Sequence, residues 1–368
     1  MTESVVVIGS GIAGASTFFA LARRGARVTL VDAGDPGQAT AASAGIIQPW
    51  SSSSTGAFYE LYAAGAAYYP ELLSQLAETG VTRTDFRRPG GLVVSHDAAV
   101  LDEIEERLEA RRAGAADAMG RVERMRGARA RELFPPLAEH LDAVFIEGGA
   151  RVDGRTLRDA LIEAGTRLGG TVHAGRASVD GTGVAIDGEP ASADAVVVAA
   201  GAWTRDLLGD FGRSAQVTPQ RGQITHLRIA GVDTSTWPSV TPLAHNYLVA
   251  FDDGRLAVGA TRESGVGFDP RVTAAGQLQV LQDALAIAPG LADATVIETR
   301  VGLRPLADDG VPIVGAVPGR AGMFVATGYG AAGLTMGPLL GDALSRAIAG
   351  EDVPLLAPVA PPDPSAAL

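Results

Sequence analysis

Two glycine clusters, one carboxylate and one arginine are the residues of this sequence whose types and spacing could do chemistry. The first cluster, GSGIAG from Gly9 to Gly14, follows the β-branched run Val5-Val6-Val7-Ile8 and opens an Ala/Leu-rich stretch that reaches Arg24. A second run, Arg27 to Val31, ends at Asp32, eighteen positions past Gly14. In a strand, turn, helix, strand unit, Gly9 permits the tight turn, Gly11 lets the backbone approach a pyrophosphate and Gly14 lets helix and strand pack closely. Ile12 and Ala13 lie in the first helical turn, whose unpaired N–H groups and positive dipole end suit an anion. Asp32 is placed to accept hydrogen bonds from ribose hydroxyls, so the unit predicts a dinucleotide site.

The second cluster, GYGAAG from Gly328 to Gly333, follows a strand pattern at Met323 to Ala326 and leads into a predicted helix from about Leu334 to Ala349. It is a second helix start rich in free N–H groups. The arginine is Arg304, in GLRP, one of thirty guanidiniums in the chain, and what sets it apart is the resemblance given below. Pro305 restricts the backbone on both sides of the Arg304–Pro305 bond. The ordinary alternative for Arg304 is an ion pair with Asp308 or Asp309. Tyr247 and His245 stand two residues apart and share a strand face if the strand begins that early. His245 is one of five histidines with no neighbouring carboxylate in the sequence, and no His/Asp/Glu spacing suits a metal, so no metal is expected.

Around these residues, Phe58 to Thr79 has helical period and gathers Phe58, Tyr59, Tyr62, Tyr68 and Tyr69, aromatics expected to pack in the core. Residues 98–112 read as a solvated charged helix. Asp194 to Ala200 lacks alternation, as a strand covered on both faces should. Between 216 and 262, alternating runs such as Gln223–Leu227, Tyr247–Phe251 and Leu256–Gly259 predict an antiparallel sheet. The tail after Glu351 carries five prolines, Pro354 to Pro364, and is expected to lack regular structure and to lie on the surface.

Composition removes several alternatives. The 368 residues are 46% apolar with a formal net charge of −12, a soluble globular chain with no basic stripe for nucleic acid. All 30 basic residues are Arg, so a lysine Schiff base, a phosphate-loop lysine and an amine nucleophile are excluded. Zero cysteines exclude disulfides, thiolate nucleophiles and attachment of a cofactor through sulfur. No run approaches the length of a membrane span and the N-terminus lacks a signal-peptide pattern, so a cytoplasmic protein without a membrane span is expected.

Taken together, the ordered motifs resemble the D-amino acid oxidase and glycine oxidase family of flavoproteins along nearly the whole chain. They are GSGIAG with Asp32, TAASAGII from Thr40 to Ile47, Arg221-Gly222-Gln223, YLVAFDDGRLAVGAT from Tyr247 to Thr261, GLRPLADDGVPIVG from Gly302 to Gly315 and GYGAAGLTMGP from Gly328 to Pro338. The fold that this resemblance implies is α/β, a Rossmann-like FAD-binding domain (1–86, 145–215 and 302–352) interleaved with an antiparallel-sheet substrate-binding domain (87–144 and 216–301), before a Pro-rich tail (353–368). The resemblance implies FAD contacts from Gly9, Gly11, Ile12, Ala13, Gly14, Asp32 and Ala33, from Thr40, Ala42, Ser43, Ala44, Gly45 and Ile46, and from Ala177, Ala200, Gly201 and Trp203. It adds Gly302, Arg304, Gly328, Gly330, Ala332, Gly333, Leu334 and Thr335, the last group at a helix start that would stabilise charge arriving on the flavin.

By the same resemblance, Arg304 and Tyr247 hold a substrate carboxylate, and Gln48, Trp50, His245 and Tyr329 stand near the pocket. The implied reaction is oxidative deamination of a D-amino acid, glycine or related amine by hydride transfer from Cα to flavin N5, with O2 as the expected oxidant. A dehydrogenase passing electrons to a quinone or other carrier, and an N-alkyl amino acid oxidase, are the alternatives; a nonenzymatic FAD-binding protein is a remote one. Ala331-Ala332 departs from the polar or basic residue that glycine oxidases tend to carry after the second glycine turn. Sarcosine-oxidase relatives use a lysine for oxygen and a cysteine for flavin attachment, and neither exists here. FAD is therefore expected to be noncovalent, and homo-oligomers are common among such enzymes.

Overall fold

A computed structural model describes residues 4–181, 183–209, 211, 215–242 and 246–363. Its first sheet has six strands in the order Ile313–Ala316, Met323–Thr327, Ala195–Val198, Ser4–Ile8, Arg27–Asp32 and Thr171–Ala174, all parallel except the first pair. The central strands bury both faces. Val5, Val7, Val28, Leu30 and Val197 pack with Phe18, Leu340 and Leu344 of two helices, Ile12–Arg23 and Gly333–Ile348. Their alternate residues Val6, Ile8, Val31, Val196 and Val198 face a second cluster that includes Val184 of a three-stranded sheet and Leu208. Period-two alternation into two separate apolar clusters is why these strands read as continuous β-branched runs.

The second sheet has eight strands, in the order Thr295–Leu306, Thr218–Arg228, Arg255–Gly259, Tyr247–Ala250, Ser239–Pro242, Gly91–Ser95, Asp142–Ile146 and Val122–Met125. It is antiparallel as expected, save that Ser239–Pro242 runs parallel to Gly91–Ser95. One face buries Leu92, Val94, Leu248 and Val258 against the helix Ala274–Ile287, whose Val280 and Ala284 join the same cluster. The other face turns Ile224, Val249 and Ala257 toward Ala44. Thr295–Leu306 is twelve residues long and pairs with Thr218–Arg228 along its whole length, with a bulge between His226 and Leu227.

A polar staple joins the sheets. Asp153 caps the helix Gly154–Arg167 by accepting from the backbone N–H of Arg155 and Thr156, and its other oxygen accepts from Arg255 Nη2 at 3.1 Å. Arg300 stands 3.8 Å from the same carboxylate. Arg255 also faces His226 Nδ1 at 3.4 Å, and His226 is itself buried with its Nε2 unpartnered among the described residues.

Two expectations change here. The proline-rich segment is not irregular: Pro354–Val359 forms a 3₁₀ helix, and Leu356 and Val359 are buried against the helix-covered face of the first sheet. A proline in the first turn costs no hydrogen bond, which lets this segment keep helical geometry while docking apolar side chains. The charged stretch 98–112 lies in the helix Ala98–Met119 but is solvated on one side only, because Leu101, Ile104 and Leu108 form a buried stripe.

Candidate active site

A cavity of about 660 Å³ runs from the turn at Gly9 to the inner ends of the second sheet's strands. At one end, Gly9 turns with φ near +102°, and a Cβ there would meet Ala199 O at 2.5 Å. Gly14 lines no part of the cavity; its added Cβ would fall 1.8 Å from Gly9 O, so it is the close helix–strand contact. Gly11 differs, since its added Cβ would find only Thr40 Oγ1, at 3.4 Å. Thr40 Oγ1 accepts from Ile12 N at 2.9 Å. Asp32 is fixed at the end of its strand by the N–H groups of Ser10 (2.5 Å) and Gly34 (2.7 Å) and by Gln38 Nε2 (2.9 Å).

Of the other predicted cofactor contacts, Ile12, Ala13, Ala33, Thr40, Ala42, Ser43, Ala44, Gly45, Ile46, Ala177, Ala200, Gly201, Trp203, Gly302, Gly330, Gly333 and Leu334 all border this cavity. Gly328, Ala332 and Thr335 do not. Ala332 caps the helix Gly333–Ile348 and lies buried in the core, and Thr335 faces Tyr62 and the Ile46 carbonyl. Gly328 takes a positive φ of 76° and packs beside Ala307 and Ile313. Trp50 is likewise fully buried in a core cluster away from the cavity. His245 lies outside the described residues.

The far end of the cavity is built by strand register. Arg304 sits near the inner end of Thr295–Leu306, where Gly302 pairs with Gly222. The guanidinium lies over Gly222 and its Nη1 donates to the Thr261 carbonyl at 3.1 Å. Thr261 is itself fixed, because its hydroxyl accepts from Gln223 N and donates to Glu263 Oε1. Tyr247 pairs with Gly259 on the neighbouring strand, which brings its phenol to Arg304. Burial raises the phenol's pKa, and the opposing pull of Arg304 and Arg262 does not cancel it. Tyr247 is therefore neutral at ordinary pH and able to donate. Neither Asp308 nor Asp309 forms an ion pair with Arg304 among the described residues.

Several lining residues were not expected from the sequence, Ile224 and Thr241 among them, and two carry groups that matter to the chemistry. Tyr62 was expected only to pack, yet it borders the cavity. Arg262 also lines it and received no role. Its signal was thin: an arginine just past a strand whose Gly259 pairs with Tyr247, a pairing that one sequence does not display. Gln48 and Tyr329 do border the cavity; the Tyr329 hydroxyl is buried there without a partner among the described residues, and burial raises its pKa.

The sequence matches the family described as DAO, FAD dependent oxidoreductase, over residues 4–347. The chain belongs to this family. It is 44% identical over 373 residues to an uncharacterised oxidoreductase, YurR, of Bacillus subtilis, with both chains covered completely. It is 30% identical to a glycine oxidase of Geobacillus kaustophilus, covering 92% of this chain and 90% of that one. Among solved structures, the iminodiacetate oxidase IdaA of Chelativorans sp. BNC1 superposes with a TM-score of 0.93 at 46% identity, over 98% of this chain and all of that one.

Members of the DAO family bind FAD, and the cavity fits it. Two helix starts, at Ile12 and Gly333, border one continuous space, Gly11 leaves the side toward it open, and the Tyr329 hydroxyl stands in the wall unpaired among the described residues. Such helix ends carry unpaired N–H groups suited to the pyrophosphate and to the electron-accepting part of the ring. Arg176, at the nucleotide side of the cavity, is paired with Asp35 at 2.7 Å.

Proposed function

We propose that this FAD-dependent oxidoreductase oxidises the Cα–N bond of a small α-amino acid, its nitrogen primary or N-substituted, whose carboxylate is held by Arg304. The observation that carries this reading is the Arg304 guanidinium, which borders the cavity with a backbone carbonyl as partner and no carboxylate among the described residues. Glycine and iminodiacetate, the compounds named in the relatives' descriptions, share an N–CH2–COO⁻ unit, which supports the same substrate class.

Gly9, Gly11 and Asp32 at one helix start and Gly330 and Gly333 at the other would hold FAD, which would supply an acceptor for the hydride leaving Cα. This chain's residues do the positioning. Arg304 presents a planar fork to the carboxylate, and the Thr261 carbonyl fixes the direction of that fork. Neutral Tyr247 donates a further hydrogen bond to the same group, so Cα is held in one orientation. The guanidiniums of Arg304 and Arg262 also make the pocket positive, which favours release of the substrate's ammonium proton to solvent and leaves a neutral amine. Among the described residues the acids that border the cavity are Asp32, held by Ser10, Gly34 and Gln38, Asp35, paired with Arg176, and Asp206, and no histidine, glutamate or lysine joins them. The substrate's proton is therefore assigned to loss on binding rather than to a protein base. Water then hydrolyses the imine to an oxo acid, releasing ammonia from a primary amino acid or an amine from an N-substituted one.

The flavin spectrum of the purified holoenzyme, followed without oxygen, tests this directly. Glycine, N-alkyl glycines, D-amino acids and iminodiacetate should include a compound that bleaches it; bound flavin that none of them bleaches overturns the reading. We propose O2 as the oxidant, so admitting air should restore the colour within the turnover time. Slow recovery without peroxide assigns a separate electron carrier instead, the outcome that a chain with no lysine makes worth measuring.

A further inference from the structure

Three arginines border the cavity, Arg176, Arg262 and Arg304, and only Arg176 has a carboxylate within ion-pair distance among the described residues. Arg262 is the unexplained one. It follows Thr261, whose carbonyl holds Arg304, and it faces both Arg304 and Tyr247. The nearest carboxylates in sequence are engaged elsewhere. Glu263 accepts from Arg221 Nη2 at 2.6 Å, from Gln223 Nε2 at 2.7 Å and from the Thr261 hydroxyl at 2.7 Å. Asp269 is paired with Arg221 and Arg271, each at 2.9 Å. Both acids serve a network around Arg221 rather than the cavity.

Two guanidiniums bordering one space repel each other, with Arg304 half-buried and Arg262 more exposed. Such a pair favours a ligand that brings negative charge to each. One carboxylate has two oxygens, and a bidentate pair with Arg304 occupies both. The Arg262 fork is then left for a second anionic group on the same molecule.

We propose that Arg262 is a second carboxylate anchor, so that the preferred substrate is an amine carrying two carboxylates. This rests on Arg304 holding the first carboxylate, as proposed above. The second group can stand on the nitrogen arm, as in an N-carboxymethyl amino acid, or on the carbon side chain, as in an amino dicarboxylic acid. Arg262 thus sets specificity, while Arg304 and Tyr247 set orientation.

The test measures binding to the FAD-loaded protein by perturbation of the flavin spectrum. Diglycolate replaces the nitrogen of a bis-carboxymethyl amine by oxygen and has no amine to oxidise; succinate probes the carbon-side arrangement, and methoxyacetate is the matched monocarboxylate. One charge-assisted pair predicts that diglycolate or succinate binds about 10- to 100-fold tighter than methoxyacetate. Arg262→Gln should collapse that ratio toward one, whereas Arg262→Lys should keep part of it.

Preference for diglycolate assigns the nitrogen arm, and preference for succinate assigns the side chain. Equal binding of all three by the native protein overturns the proposal, and so does an Arg262→Gln variant that weakens monocarboxylate and dicarboxylate alike, since both arginines would then share one carboxylate. Flavin reduction keeps the two readings apart. If glycine or another monocarboxylate reduces the flavin as efficiently as any dicarboxylate, the second anchor falls while the Cα–N oxidation stands; if no amine reduces it, the oxidation itself falls.

Discussion

Arg304 occupies the space that a side chain at position 222 would need: a Cβ added to Gly222 would lie 2.4 Å from Arg304 Nη2 and 2.6 Å from Cζ. The glycine is therefore the floor under the guanidinium. Gly222→Ala must push the fork off that floor, away from the Thr261 carbonyl. A misplacement of about 1 Å can cost about 100-fold in rate. We expect a loss of that order in the rate constant for substrate-driven flavin reduction per unit substrate concentration, with the flavin still bound, measured by anaerobic stopped flow.

Tyr247→Phe removes a neutral donor from the carboxylate site. A hydrogen bond to a charged group contributes about 1.5–3 kcal/mol, so kcat/KM should fall roughly 10- to 100-fold. Because burial raises the phenol's pKa, the native enzyme should show no tyrosine ionisation in its binding profile up to an ordinary phenol's range. A loss of carboxylate binding near pH 9, absent in the variant, would contradict this assignment.

The two neighbouring glycines of the first turn should fail differently. Gly14→Ala drives a methyl group into Gly9 O, so it must separate helix from strand, and overpacking of this kind costs about 1–3 kcal/mol. Its apoprotein should melt several degrees lower. Gly11→Ala meets nothing closer than 3.4 Å, so its apoprotein should melt like the native one while retaining less FAD. Melting temperature and the flavin-to-protein ratio, taken together, separate the two roles.

His226 should give the protein an acid weakness above the carboxylate range. Burial, then the Arg300 and Arg255 charges, lowers its pKa to about 3. In the unfolded chain it titrates near 6.5, so between those values the unfolded state binds the extra proton. Stability is therefore complete above about pH 6.5 and is lost as pH falls toward 3. At pH 5 the loss is about 2 kcal/mol, and His226→Gln should remove it. Denaturant midpoints at pH 7.5 and 5.0 for both proteins check the sign, since both midpoints dropping equally would rule it out.

Much of this architecture was legible because its signals are local. Val5 to Ile8, the turn at Gly9 and the helix after it each follow from short-range sterics and from burial on two faces, and the change to alternating runs after residue 216 marks the second sheet. Arg304 stood out through the family resemblance of GLRPLADDGVPIVG, since nothing local separates it from the other twenty-nine arginines. Arg262, Tyr62 and the parallel pairing of Gly91–Ser95 with Ser239–Pro242 were not legible, since each depends on which distant strand lies alongside. Tyr62 shows the limit plainly: helical period says that it is covered, not whether a core or a ligand covers it. The docked 3₁₀ turn at Pro354–Val359 was hidden by its prolines, which signal loss of α-helix but not loss of packing.

The bulge between His226 and Leu227 has a bearing on what this chain tolerates. Side chains on a strand alternate, so a one-residue slip in the long pair Thr218–Arg228 with Thr295–Leu306 would turn Arg304 to the opposite face. The extra residue, Ile297, sits on the outer side of His226, with Leu227 opposite Val296, and everything from Thr225 inward keeps one register. The outer end can thus absorb insertions, deletions or a new edge partner as a slack coupling does, while the arginine that faces the cavity stays in phase.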